Sequence, residues 1–143
     1  MDFFTALNIS SSGLSAERER VNVASSNLAN AESTRSADGS GPYRRRDPVL
    51  ESVSFDAALS GASGEPGAVG VKVAEIVEDQ RPGRKVYSPG HPDADEKGFV
   101  TFPNVNPVHE VVNLLSASKS YEANASAVDT LKGMAQRALD IAR

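Results

Sequence analysis

The chain has 143 residues and no cysteine, and its 15 basic and 19 acidic residues leave a formal net charge of -4. The missing cysteine excludes disulfides, thiolate catalysis and thiolate metal sites together, and the scattered charge argues against nucleic acid, which needs a clustered basic face. No run of eighteen apolar residues is present, and Met1-Asp2-Phe3-Phe4 is not a basic start ahead of an apolar stretch, so the expectation is a soluble chain with no direct membrane insertion and no cleaved secretory signal.

From Phe3 to Ala31, Leu7, Leu14, Val21 and Leu28 fall seven residues apart and are joined by Phe4, Ala24 and Ala31, which predicts a helix with a narrow apolar stripe. Asn8 to Gly13 has poor helix propensity, the glycine alone costing about 1 kcal/mol against alanine, so this helix is expected to fray by itself. Glu17-Arg18-Glu19-Arg20 reads as a solvated face. Ala31 to Pro42 carries the turn signals Asp38-Gly39 and Gly41-Pro42 and ends the helical pattern.

The chain then turns to β. Tyr43 to Phe55 is a strand whose first half Pro48 demotes to an edge. Ser60 to Gly70 is a flexible glycine-rich loop. Val69, Val71, Val73 and Val77 alternate as in a half-buried strand. Arg84 to Tyr87 and Gly98 to Phe102 are short strands around the Ser88 to Lys97 loop. The β core is expected from Val49, Val53, Phe55, Val71, Val73, Val77, Val86, Phe99, Val100 and Phe102, a small knob worth a few kcal/mol at most. Arg44, Arg45 and Arg46 read as a solvated edge, blunted by charge, with acidic neighbours as the other possibility.

In the last third, Leu114, Ala117, Tyr121, Asn124, Val128, Leu131, Ala135, Ala138 and Ala142 recur at steps of three and four, the seam of a coiled coil. Asn106 is the expected N-cap and Pro107 suits the first turn. Such a helix is roughly 50 Å long and needs a partner helix. The fold class is therefore α+β: long N- and C-terminal helices form an antiparallel coiled-coil-like pair with a small β-rich domain inserted between them. The divisions are an N-terminal helix over 1–35, a β-rich domain over 36–103 and a C-terminal helix over 104–143. Alanine-rich seams bury little area against the entropy of ordering both helices, so both ends are expected to order against neighbouring copies. The residues assigned to that assembly interface are Leu7, Leu14, Val21, Asn27, Leu28, Asn30, Leu114, Ala117, Tyr121, Asn124, Val128 and Leu131. For Asn27, Asn30 and Asn124 two readings stand: Asn30 caps a helix while the other two face solvent, or the amides pair across helices and set register.

Candidate chemistry is sparse. His91, Asp93, Asp95 and Glu96 lack the spacing of zinc motifs and sit in a loop whose acidity solubility explains. His109 is expected to be exposed in the first turn of the C-terminal helix. No residue stands in a recognisable catalytic setting, and no metal or cofactor is expected.

Gly13-Leu14-Ser15-Ala16, then Asn22-Val23-Ala24-Ser25-Ser26-Asn27-Leu28-Ala29-Asn30-Ala31 with Thr34, resemble the N-terminal signature of the flagellar axial family of rod and hook proteins. Ser116-Ala117-Ser118-Lys119-Ser120-Tyr121-Glu122-Ala123-Asn124 resembles its C-terminal signature. Tyr43-Arg44-Arg45-Arg46, Pro89-Gly90-His91-Pro92, Ala94 to Val100 and Pro103-Asn104-Val105-Asn106 narrow the resemblance to its proximal rod members, Phe99 standing where they often have tyrosine. The resemblance implies a non-enzymatic subunit of the periplasm-spanning basal-body rod. It implies as partners other copies of the chain, other rod proteins, the basal-body membrane ring, a rod-base adaptor and the flagellar type III export apparatus, which exports such chains without cleaving a signal. The alternative is a self-contained helical hairpin that displays the β domain to a soluble partner.

Overall fold

Helix α1 spans Phe3–Ala29, 27 residues, and runs unbroken through Ser10-Ser11-Ser12-Gly13. It ends where Asn30 caps it: the backbone N–H and the side-chain amide of Asn30 both donate to the Ser26 carbonyl, at 3.1 and 2.9 Å. Among the described residues four strands follow, β1 (Arg46–Ser54), β2 (Val69–Glu78), β3 (Arg84–Tyr87) and β4 (Phe99–Phe102), and then the 35-residue helix α2 (Pro107–Ile141). The fold is thus α+β, with two long helices around a small β region. The computed structural model describes residues 3–36, 39, 41–54 and 69–141; Phe55, Ala142 and all but the last two residues of the Ser60 to Gly70 loop lie outside them.

Each expected strand is found, and the β region consists of two ladders, β1 with β2 and β3 with β4. Strands β3 and β4 are antiparallel in the register Arg84↔Phe102 to Tyr87↔Phe99. Tyr87 and Phe99 meet edge to face with centroids 5.4 Å apart, and the Arg84 guanidinium lies over the Phe102 ring. Gly83 opens this ladder because a Cβ there would come 2.0 Å from the Phe102 carbonyl oxygen. Among the described residues of the expected β core only Val100 is fully buried; Val49, Val77 and Phe99 are exposed, since a two-stranded ladder covers little of its own faces.

By compactness the chain forms two units, one of Met1–Glu19, Val49–Glu75 and Ser116–Arg143, the other of Arg20–Pro48 and Ile76–Leu115. In the first, Gly13 of α1 lies against the Asn124 amide of α2, and a Cβ on Gly13 would stand 2.8 Å from its Nδ2. Ser12 of α1 also receives the Val71 N–H of β2 on its Oγ at 3.1 Å. In the second, Asn27 of α1 bonds Glu110 of α2.

The inward face of α1 differs from the expected one. Ala16, Val23, Ala24 and Asn27 are buried there, in register with Gly13 at steps of three and four. Leu7, Leu14, Val21 and Leu28 lie one residue, about 100°, further round and stay half-buried. Small residues win the seam because they let two backbones approach closely. On α2 the seam starts at Glu110, earlier than expected, and continues through buried Ala117 and half-buried Leu114, Asn124, Val128 and Leu131, with Tyr121 exposed at its edge.

Candidate functional site: the helical seam and its buried polar cluster

The seam's most distinctive feature is polar. Asn27 is 1% exposed and its amide makes four hydrogen bonds. Its Nδ2 donates to the Arg46 carbonyl (2.8 Å) and to Glu110 Oε2 (3.1 Å); its Oδ1 accepts from the Arg46 N–H (2.9 Å) and the Tyr43 hydroxyl (2.9 Å). The side chain thereby stands in for a strand's backbone, pairing with both polar groups of Arg46 where β1 begins. All four valences of the amide are used.

Glu110, also 1% exposed, sits in the first turn of α2. Asn106 caps that turn, its Oδ1 accepting from the Val108 N–H at 3.0 Å and the His109 N–H at 3.4 Å. A carboxylate near a helix N-terminus gains from the peptide dipoles, but one so buried also needs a cation. Arg45 supplies it: Nε donates to Glu110 Oε1 at 2.7 Å, and the guanidinium also pairs with Asp47. Burial works against the charge of Arg45, and the bonds to Asp47 and Glu110 outweigh it, holding its pKa above the ordinary arginine value. The Arg45 N–H donates to Asn104 Oδ1 at 3.1 Å. Beside the cluster lies a polar cleft of about 150 Å³ among Arg20, Asn27, Asp47, Glu110 and Asn113, room for a few waters at ~30 Å³ each.

The arginine run is therefore not one solvated edge. Arg45 is buried in the cluster, Arg44 reaches Gln80 at 2.6 Å and Arg46 reaches Glu78 at 3.1 Å. Acidic residues of the expected loop set hold the chain together. Asp93 accepts from Thr34 Oγ1 (2.7 Å) and Arg35 Nε (2.6 Å), which lowers its pKa. Asp95 Oδ1 accepts from the backbone of Lys97 and Phe99, and His91 Nδ1 accepts from the Asp93 N–H. Among the described residues no group of three or more His, Asp or Glu is placed to hold a metal ion. Asp79 pairs with Arg81, and that hydrogen bonding brings its pKa from 3.8 to about 2.

Of the assigned interface residues, then, Asn27 and Ala117 are buried on the seam and Asn124 packs on it against Gly13. Asn30 caps α1, Tyr121 is exposed, and the leucine stripe lies off the seam. Neither Asn27 nor Asn124 faces open solvent: Asn27 bonds across to α2, though its partner there is a carboxylate and not a second amide. Sequence reasoning missed Glu110 and Tyr43, and it named acidic neighbours for Arg45 only as the second possibility. The available signal was register, because Glu110 precedes Ala117 by seven residues and so puts a charge on an otherwise apolar seam.

Residues 7–35 match the family model described as flagella basal body rod protein, and residues 96–141 match that of the flagellar basal body rod FlgEFG protein C-terminal region. The flagellar basal-body rod protein FlgC of Escherichia coli O6:H1 is 44% identical over 141 residues, covering 99% of this chain and 98% of its own. FlgC of Bacillus subtilis is 44% identical and covers all of both chains, and FlgC of Borreliella burgdorferi is 39% identical with 99% and 98% covered. The first match contains Asn27 and the second contains Glu110.

Proposed function

The chain belongs to the family of flagellar basal-body rod proteins, a structural rod subunit of the basal body, and from that premise we propose that it polymerises through its terminal helices into the periplasm-spanning drive shaft. The observation that carries the proposal is apolar surface left open at the end of α2: Met134, Leu139 and Ile141 are all exposed there. Neighbouring copies supply the cover, and twisting the shaft then loads many small packing contacts in parallel.

In this reading segments 1–35 and 104–143 build the inner tube, 36–103 decorates it, and Leu7, Leu14, Val21, Leu28 and Tyr121 face other subunits. Other rod proteins, the membrane ring and a rod-base adaptor are its neighbours, and the type III apparatus exports it with its N-terminus uncleaved. Hydrogen exchange tests the proposal: Phe3 to Ala31 and Asn106 to Arg143 are expected to exchange fast in the monomer and slowly in isolated basal bodies. The Asn27–Glu110 bond favours a second reading, a self-contained hairpin, because it joins α1 to α2 inside one chain. High protection already in the monomer would make that reading the better one.

A further inference from the structure

We propose that His91 and Asp93 form a proton-operated latch between the exit of α1 and the loop after β3: protonation of His91 moves one oxygen of Asp93 from Thr34 to the imidazolium. Two motifs of the sequence that the helical seam does not use meet here, the Thr34 that follows the N-terminal signature and Pro89-Gly90-His91-Pro92. Asp93 accepts on Oδ2 from the Thr34 hydroxyl at 2.7 Å and on Oδ1 from Arg35 Nε at 2.6 Å. One carboxylate thus ties residues just beyond α1 to the Ser88 to Lys97 loop. The backbone N–H of Asp93 in turn donates to His91 Nδ1 at 3.1 Å.

That last bond fixes the state of the ring. A nitrogen that accepts carries a lone pair, so in this arrangement His91 is neutral with its proton on Nε2. Protonation places a second N–H on Nδ1, and two donors facing each other no longer bond. The new N–H has an acceptor close by, since Nδ1 is 3.9 Å from Asp93 Oδ2, the oxygen that Thr34 holds. Asp93 stays ionised throughout the exchange, because the Thr34 hydroxyl and then Arg35 hold its pKa below the ordinary value. An imidazolium on a carboxylate puts charge on both partners, whereas the Thr34 hydroxyl brings none. The ion pair therefore displaces the hydroxyl.

The ring is open to solvent and held in place. The His91 side chain is 31% exposed, so it exchanges protons with water directly. Pro92 fixes its own φ and restricts the backbone of His91 before it. The His91 N–H donates to the Ser88 carbonyl at 3.1 Å, and the ring meets Phe102 of β4 at 6.3 Å between centroids. The charged groups around it are Asp93 of its own loop, Arg35 on the other oxygen of Asp93, and Arg84 of β3, whose guanidinium lies over the Phe102 ring. Asp93 favours the imidazolium and the two arginines oppose it. The other end of the loop takes no part: Asp95 Oδ1 accepts from the N–H groups of Lys97 and Phe99, and the Asp95 N–H donates to the Phe99 carbonyl at 2.8 Å. Opening is confined to the half that Asp93 holds.

Nuclear magnetic resonance of the full chain between about pH 8 and 5, the range in which histidine changes charge, tests the latch. At the upper end the His91 ring nitrogens are expected to show the Nε2–H tautomer. As pH falls, the backbone signals of Thr34 and Asp93 are expected to shift with the His91 ring at one common midpoint, while those of Lys97 and Phe99 hold still. Over the same range the Asp93 N–H is expected to lose its hydrogen-exchange protection, corrected for the intrinsic rate. In His91→Gln, which keeps an acceptor and gains no proton in this range, Thr34 and Asp93 are expected not to shift. An Nδ1–H tautomer at the upper end, a Thr34 signal that holds still while His91 titrates, or the same shifts in His91→Gln would each overturn the proposal.

Discussion

Arg45 and Glu110 show how much of this fold hangs on two charges. Each is buried, and each is tolerable because the other is there: remove one partner of such a pair and the stranded charge costs about 3–5 kcal/mol, whereas replacing both by apolar groups is often close to neutral. Arg45→Met is therefore expected to lower the monomer's unfolding free energy by about 3 kcal/mol in urea, and Arg45→Met with Glu110→Leu to recover a large part of that loss. An equally damaged double variant would mean that Asn27 needs Glu110 as a hydrogen-bond partner and not for its charge. The pH limb belongs to other residues. The folded pKa of Asp79 is below its ordinary 3.8, at about 2, and that of Asp93 is also lowered. Both carboxylates thus stabilise the fold above their ordinary values, and the contribution is lost as pH falls through the folded ones. Asp79→Asn is expected to flatten the dependence of stability on pH between about 4 and 2, as read from denaturant midpoints across that range.

Among the elements, α1 is the one whose composition and behaviour disagree. Its serines and Gly13 oppose helix by propensity, and the structure nonetheless carries the helix straight through them. Gly13 is the reason: an alanine would gain up to about 1 kcal/mol in an isolated helix, but here its Cβ would be pressed to 2.8 Å from Asn124 Nδ2. Overpacking of this sort costs about 1–3 kcal/mol, so Gly13→Ala is expected to destabilise the monomer despite the better propensity. With Asn124→Ala the clash is gone and the helix gain remains. A double-mutant cycle should give a favourable coupling of at least about 0.5 kcal/mol; additive effects would mean the two helices do not approach at this point. The leucine stripe teaches the same lesson, since the largest apolar residues of α1 are not the ones turned toward α2.

For the molecule as a whole, the last two turns or so of α2 separate folding from assembly. A chain ended after Gly133 loses the exposed Met134, Leu139 and Ile141 and none of the Asn27 to Glu110 cluster. It is expected to melt within a few degrees of the full chain, as small surface changes do, and to fail to enter basal bodies. Entry at the normal level would remove these exposed side chains from the argument for polymerisation.

The sequence by itself determined the two long helices, the Asn106 cap, the four strands, though β1 begins at Arg46 and not at Tyr43, and the family, because periodicity, turn residues and short motifs are local properties of the chain. It also marked Asn27 and Asn124 as seam residues. Which face of α1 turns inward was decided only by the tertiary structure. Hydrophobicity favoured the leucines, but close approach of two backbones favours glycine and alanine, and that preference exists only once a second helix is present. The buried cluster was illegible for a related reason. Glu110 is separated by 65 residues from Arg45 and by 83 from Asn27, and until the fold brings them together a glutamate in a helix's first turn and an arginine in a basic run both look like ordinary surface charge.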